Sequence, residues 1–75
     1  MNLKEAAAVA KQQVNDLFAP GALQNVRLEH CLYDDHFAVW SVTIGFALPG
    51  QPETRSYKIV RVSEADKSVL SVRDP

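Results

Sequence analysis

FAVWSVTIGFAL, residues 37–48, is apolar at every second position over its whole length. The odd positions include Ser41, Thr43 and Gly45, whereas the even positions are all apolar: Ala38, Trp40, Val42, Ile44, Phe46 and Leu48. A period of two is typical of a strand with one face in the core and the other partly exposed to water. The stretch therefore predicts the central strand of a small sheet.

Length and composition narrow the class of protein. A chain of 75 residues has room for one domain, 1–75, with a modest core, because a domain of this size buries only about 60% of its unfolded surface. The net charge of −1 offers no electrostatic basis for binding nucleic acid or a membrane surface, so we expect neither partner.

The single cysteine and the start of the sequence both favour a cytoplasmic location. Cys31 has no second cysteine with which to form an internal disulfide, and unpaired thiols are typical of reducing compartments. The first residues, MNLKEAAAVAKQQ, lack the uninterrupted apolar run of a signal peptide. No stretch approaches the length of apolar sequence that spans a membrane.

Residues 3–18 match an amphipathic helix. Asn2 followed three residues later by Glu5 forms a capping-box pattern that marks the helix start, and Pro20 with Gly21 marks its end. One stripe of the helix is apolar, and its members are Leu3, Ala7, Ala10, Val14, Leu17 and Phe18.

Three further alternating stretches predict strands at 23–33, 54–62 and 68–72, on either side of the central strand at 37–48. Pro49, Gly50 and Pro52 break the chain after the central strand. In the third strand the odd and the even positions both carry apolar residues, so either the strand bulges or both of its faces are partly covered. The pattern does not decide which face is buried. We predict an α+β domain in which the N-terminal helix packs across one face of a four-stranded antiparallel meander.

The register of the first hairpin follows from matching apolar faces. A three-residue loop, 34–36, pairs Leu28 with Val42, and by the same register Val26 with Ile44 and His30 with Trp40. A β-bulge that restores the same phase is the alternative. Either way, the odd parity of the hairpin brings four residues together on the face away from the helix: Cys31, Tyr33, Phe37 and Val39.

The ending YKIVRVSEADKSVLSV resembles the strand-turn-strand ending of PepSY-type domains, and the order of elements resembles theirs and that of cystatin-like folds. Together with LEHCLYDDHFAVWSVTIGF, residues 28–46, it also resembles small uncharacterised bacterial proteins of similar length. The chain departs from PepSY hairpins at the turn, where Asp66 and Lys67 occupy the places of a Thr-Gly pair. The resemblance implies a non-catalytic module that binds other proteins, and it transfers no functional residue.

Reactive side chains concentrate in the first hairpin, at His30, Cys31, Asp34, Asp35 and His36. They suggest the alternative hypothesis of a small enzyme or metal-binding protein that uses His30, Cys31 and His36. Consecutive strand residues such as His30 and Cys31 point to opposite faces, however, and no second Cys/His pair completes a tetrahedral site. We therefore expect no cofactor, no metal and no catalytic residue.

Basic residues recur in the last third of the chain, at Arg55, Lys58, Arg61 and Arg73, with Tyr57 among them. Acidic residues interrupt the series, at Glu53, Glu64, Asp66 and Asp74, which favours a solvated strand face over a nucleic-acid surface.

If the helix covers the other face, no further element covers the apolar patch at Cys31, Tyr33, Phe37 and Val39, unless the sheet curls and the loop at 49–52 folds over part of it. Exposed apolar clusters mark protein contacts. We therefore expect a non-enzymatic binding or regulatory module that contacts a protein partner or a second copy of itself through this patch. The sequence identifies no small-molecule ligand.

Overall fold

The computed structural model describes residues 1–75. Helix α1 spans Leu3–Phe18, as predicted, and the capping box is formed: the Asn2 side chain accepts from the Glu5 amide at 2.8 Å, and the Asn2 amide donates to the Glu5 carboxylate at 3.2 Å. Past its end, Gly21 has a φ of 73° and donates its amide to the Asn15 side chain at 3.0 Å. Local chemistry therefore sets both ends of the helix.

The buried stripe of α1 differs from the predicted one at its ends. The middle of the helix is buried at Ala6, Ala7, Ala10 and Val14. Leu3 and Leu17, in the end turns, are half-exposed, whereas Ala6, which the predicted stripe did not include, is fully buried. The small buried alanines let the helix lie close to the sheet.

The sheet contains four antiparallel strands in the order β1-β2-β3-β4, which confirms the predicted meander. Their bounds are Gln24–Asp34 for β1, Val39–Ala47 for β2, Arg55–Ser63 for β3 and Val69–Arg73 for β4. Each lies within two residues of the predicted strand. The one helix is neither long enough nor apolar enough to cross a membrane.

The core lies between α1 and one face of the sheet, which we call the inner face. Its fully buried sheet residues are Val42, Ile44, Phe46, Val60 and Val62. This answers the question left open for β3, because Val60 and Val62 point inward while Tyr57 and Ile59 lie on the opposite, outer face. Phe46 packs under the helix, stacked on Phe18, whereas Trp40 lies at the margin of the core.

The predicted register of the first hairpin is wrong, although the predicted alternative of a bulge is realised. Leu28 lies opposite Ile44 rather than Val42, and Tyr33 rather than His30 lies opposite Trp40. The loop has four residues, 35–38, and a bulge between Leu28 and His30 shifts the strand by one residue. The bulge keeps Leu28 on the inner face despite the even loop.

Candidate functional site

The bulge in β1 separates the four residues that were predicted to form one patch. Beyond it, Cys31 lies opposite Val42 and Tyr33 opposite Trp40, so both are on the inner face. Val39 is on the outer face and only 6% exposed, and Phe37 is in the loop. The prediction that the four share the face away from the helix is therefore wrong, because a one-residue shift exchanges the two faces of a strand.

The same shift brings a residue to the surface that the sequence pattern assigned to the core side. Leu32 now pairs with Ser41 on the outer face and is 60% exposed. Nothing in the alternation of β1 signals this change, since the bulge depends on pairing with β2.

Three exposed apolar side chains lie at the end of the β1–β2 hairpin, Leu32 on the outer face, Tyr33 on the inner face and Phe37 in the loop. Phe37 at its tip is 66% exposed, and Leu32 and Tyr33 at the end of β1 are 60% and 44% exposed. We call Leu32, Tyr33 and Phe37 the hairpin-tip surface. They include two of the four predicted contact residues, and they lie at the end of the hairpin rather than on one sheet face.

The hairpin tip is held in place by its own backbone and by the neighbouring turn. The Asp34 carboxylate accepts from the amides of His36 at 3.0 Å and Phe37 at 3.2 Å. The Ala38 carbonyl accepts from the Glu64 amide at 2.9 Å, and Ala38 itself has a φ of 54°. These bonds fix the tip that presents the Phe37 ring.

An aromatic and ionic cluster lies directly behind the tip. The rings of Tyr33 and Trp40 are 4.8 Å apart, and the Trp40 Nε1–H donates to the Glu64 carboxylate at 2.5 Å. The amino group of Met1 donates to the other oxygen of Glu64 at 2.6 Å. These two bonds, the amino group first, hold the pKa of Glu64 below its ordinary value.

The reactive side chains of the hairpin do not converge. His30 lies opposite Thr43 on the outer face and Cys31 opposite Val42 on the inner face, as the strand geometry predicts. Burial raises the pKa of the Cys31 thiol, which is opposite to the shift that activates a nucleophile. No three His, Cys, Asp or Glu side chains lie together in an arrangement that would hold a metal ion.

The structure also shows an open groove of about 380 Å³ between α1 and β1. Its lining is mainly apolar, with two lysines at the rim: Leu3, Lys4, Ala7, Ala8, Lys11 and Leu28. The sequence pattern did not indicate it, because it depends on how far the helix sits from the edge strand.

No protein-family model matches this chain, and no curated protein and no solved structure matches it.

Proposed function

We propose that this chain is a non-enzymatic binding module that acts by protein–protein contact through the hairpin-tip surface. The observation that carries the proposal is the exposure of Leu32, Tyr33 and Phe37 at a tip whose backbone is fixed by hydrogen bonds. Exposed apolar side chains on a pre-organised loop bind a partner with little ordering cost.

The charge of the outer face argues against a contact in which two copies stack their sheets. Two copies that stack their outer faces would bring like-charged residues together, among them Arg61 and Arg73. Like charges that face each other across an interface weaken binding by several kcal/mol, on the order of the values known for protein complexes. Contact between two copies therefore uses the hairpin-tip surface rather than the sheet face.

The PepSY resemblance remains part of the proposal, and the β3–β4 turn supports it. Lys67, which stands where those hairpins carry glycine, has a φ of 61°. This left-handed conformation is the one that glycine favours, so the turn has the backbone shape that a Thr-Gly pair would adopt. We also propose a cytoplasmic location, which the free Cys31 supports.

The test compares association of the wild type with that of two variants. Phe37→Glu places a charge on the hairpin-tip surface, and Leu70→Glu makes the same change at an exposed leucine of β4, which is 52% exposed. Light scattering over a range of concentrations measures self-association, and immobilised protein exposed to a bacterial lysate measures capture of other proteins.

We expect association in the wild type and in Leu70→Glu, and its loss in Phe37→Glu. Cys31→Ser should associate as the wild type does, since the thiol is outside the contact. Equal association of Phe37→Glu and wild type, or a wild type that associates with nothing in either measurement, would refute the proposal.

A further inference from the structure

The outer face of the sheet is uncovered, and its residues follow from the strand register. Arg61 lies between Ser41 and Ser71, and Ile59 lies between Thr43 and Arg73. In the next row of the sheet, Tyr57 lies opposite Gly45, and Gly45 lies opposite Arg27 of β1. In the row after that, Arg55 lies opposite Ala47. Paired residues share a face, so all four arginines project from this side.

Positive charge on the outer face is almost unopposed. The carboxylates that interrupt the basic series in the sequence lie elsewhere: Glu53 is in the β2–β3 loop, Glu64 and Asp66 are in the β3–β4 turn, and Asp74 follows β4. Lys58 belongs to the other face, where its ammonium group lies 5.2 Å from the centre of the Phe18 ring. The carboxylates that interrupt the basic series therefore do not balance its charge on this face, because neighbours in sequence separate in space.

One carboxylate, that of Glu29, lies near two of these arginines but beyond hydrogen-bond distance. A Glu29 oxygen is 3.9 Å from Nε of Arg27 and 3.9 Å from Nη2 of Arg55. Arg61 and Arg73 have no carboxylate oxygen within 4.0 Å. The charge of the face is thus left for an external anion to neutralise.

Hydrogen-bonding capacity on this face is also unused. The Ser71 hydroxyl is buried without a partner, directly opposite Arg61. Nε and Nη2 of Arg55 are likewise buried without a hydrogen-bond acceptor, although Nη1 donates to the Asn25 carbonyl at 3.0 Å. Buried polar groups normally have partners, but these three atoms are closed to solvent, so a ligand on this face pairs with the exposed Arg73 and the part-exposed Arg61 instead.

The shape of the charged region favours a short peptide over a nucleic acid. Arg55 and Arg61 are six residues apart on β3, which is about 20 Å along an extended strand. Acidic residues lie at both ends of this face, with Asp34 at the end of β1 and Glu64 in the β3–β4 turn on one side and Glu53 in the β2–β3 loop on the other. A nucleic-acid strand extending past the face would meet these carboxylates, whereas a short acidic segment ends before them.

Apolar side chains on the same face also fit a peptide. Leu32 lies at its margin on β1, and half-buried Ile59 lies at its centre. Neither side chain has a counterpart in a phosphate backbone, but the methylene groups of glutamate side chains can pack on both. Leu32 also belongs to the hairpin-tip surface, so the two surfaces are continuous.

We propose that the outer face binds an extended acidic and apolar segment of the partner protein, about six or seven residues long. The carboxylates of the segment project from alternate residues towards the face and pair with Arg61 and Arg73, and the methylene groups of these acidic side chains contact Ile59 and Leu32. This inference rests on the proposed function, because it specifies the chemistry of the protein that the module binds.

The test uses a fluorescent peptide of alternating glutamate and leucine, ELELELE, and measures its anisotropy on titration with the purified chain. We expect the peptide to bind, with an affinity that falls as salt screens the charges. The uncharged peptide QLQLQLQ should not bind. The double variant Arg61→Gln/Arg73→Gln should weaken binding of ELELELE about fivefold or more, as expected for the loss of two exposed charge pairs.

The matched control is Lys4→Gln/Lys11→Gln, which removes the same charge from the groove beside α1. It should bind ELELELE within about twofold of the wild type. Equal weakening in this control would place the peptide in the groove and refute the proposal. Tighter binding of an oligothymidylate than of ELELELE would identify the face as a nucleic-acid surface and refute it too.

The experiments distinguish failure of the acidic-segment proposal from failure of the hairpin-tip proposal. A chain that does not bind ELELELE but associates in a Phe37-dependent way refutes only the acidic segment. A chain that binds ELELELE but shows no Phe37-dependent association refutes only the hairpin-tip contact. Unfolding monitored by Trp40 fluorescence confirms that the charge variants are folded.

Discussion

Two phenylalanines of this chain have opposite environments, and the same substitution at each separates a structural role from a functional one. Phe46 in β2 is 1% exposed and packs on Phe18, with ring centroids 5.6 Å apart. Phe37 at the hairpin tip is 66% exposed. We expect Phe46→Ala to destabilise the fold severely and Phe37→Ala to leave its stability unchanged.

The magnitude follows from burial. Truncating a fully buried phenylalanine to alanine costs about 3–5 kcal/mol, because apolar surface is lost and a cavity remains. A domain of 75 residues has a total stability of about 4–11 kcal/mol at ordinary values per residue. Phe46→Ala thus removes much of the stability, whereas Phe37→Ala should change it by less than about 0.5 kcal/mol.

Urea unfolding monitored by fluorescence is the assay. Trp40 is the single tryptophan and lies at the margin of the core, so its emission reports global unfolding. With a slope of about 1 kcal/mol per molar urea for a domain of this size, the midpoint of Phe46→Ala should fall by about 3 M or more.

Two results would contradict this account. A loss of more than about 1 kcal/mol in Phe37→Ala would show that the Phe37 ring packs against the fold and is not free for a partner. A loss of less than about 1 kcal/mol in Phe46→Ala would show that the core between α1 and the sheet is not packed as described.

Three further outcomes are expected. Asn2→Ala should destabilise the protein by about 1 kcal/mol in urea unfolding, because α1 loses its capping bond; an unchanged midpoint would contradict this. The pKa of Glu64 is lowered by the Met1 amino group and Trp40, so its stabilisation is present above the ordinary value of 4.5 and is lost as pH falls through the lower folded-state pKa. Trp40 emission should therefore shift below pH 4.5 in the wild type but not in Glu64→Gln, and a shift common to both would exclude Glu64 as the cause. Because burial raises the pKa of Cys31, its thiol should react with a disulfide reagent more slowly than a free cysteine does at mildly alkaline pH, and equal rates would mean that the thiol is open to solvent.

Features that depend on residues near each other in the chain were predictable. The bounds of α1 followed from Asn2, Glu5 and Pro20, since capping bonds and the proline constraint act within one helical turn. The four strands and their meander order followed from period-two patterns and from short connections between them.

Features that depend on pairing between strands were not predictable. The bulge near Glu29 moved Cys31 and Tyr33 to the inner face and Leu32 to the outer one. Its position results from a compromise between the four-residue loop and the need to keep Leu28 in the core. No local pattern encodes that compromise, because each partner lies on another strand.

The sequence by itself therefore determined which elements form, in what order, and which side of β2 enters the core. Only the tertiary structure decided what reaches the surface: the hairpin-tip surface with Phe37 at its end, and the outer face on which Arg61 and Arg73 stand apart from the carboxylates. The physical reason is that helix caps and strand periodicity act over a few residues. Strand register and the separation of charge arise when distant segments pair.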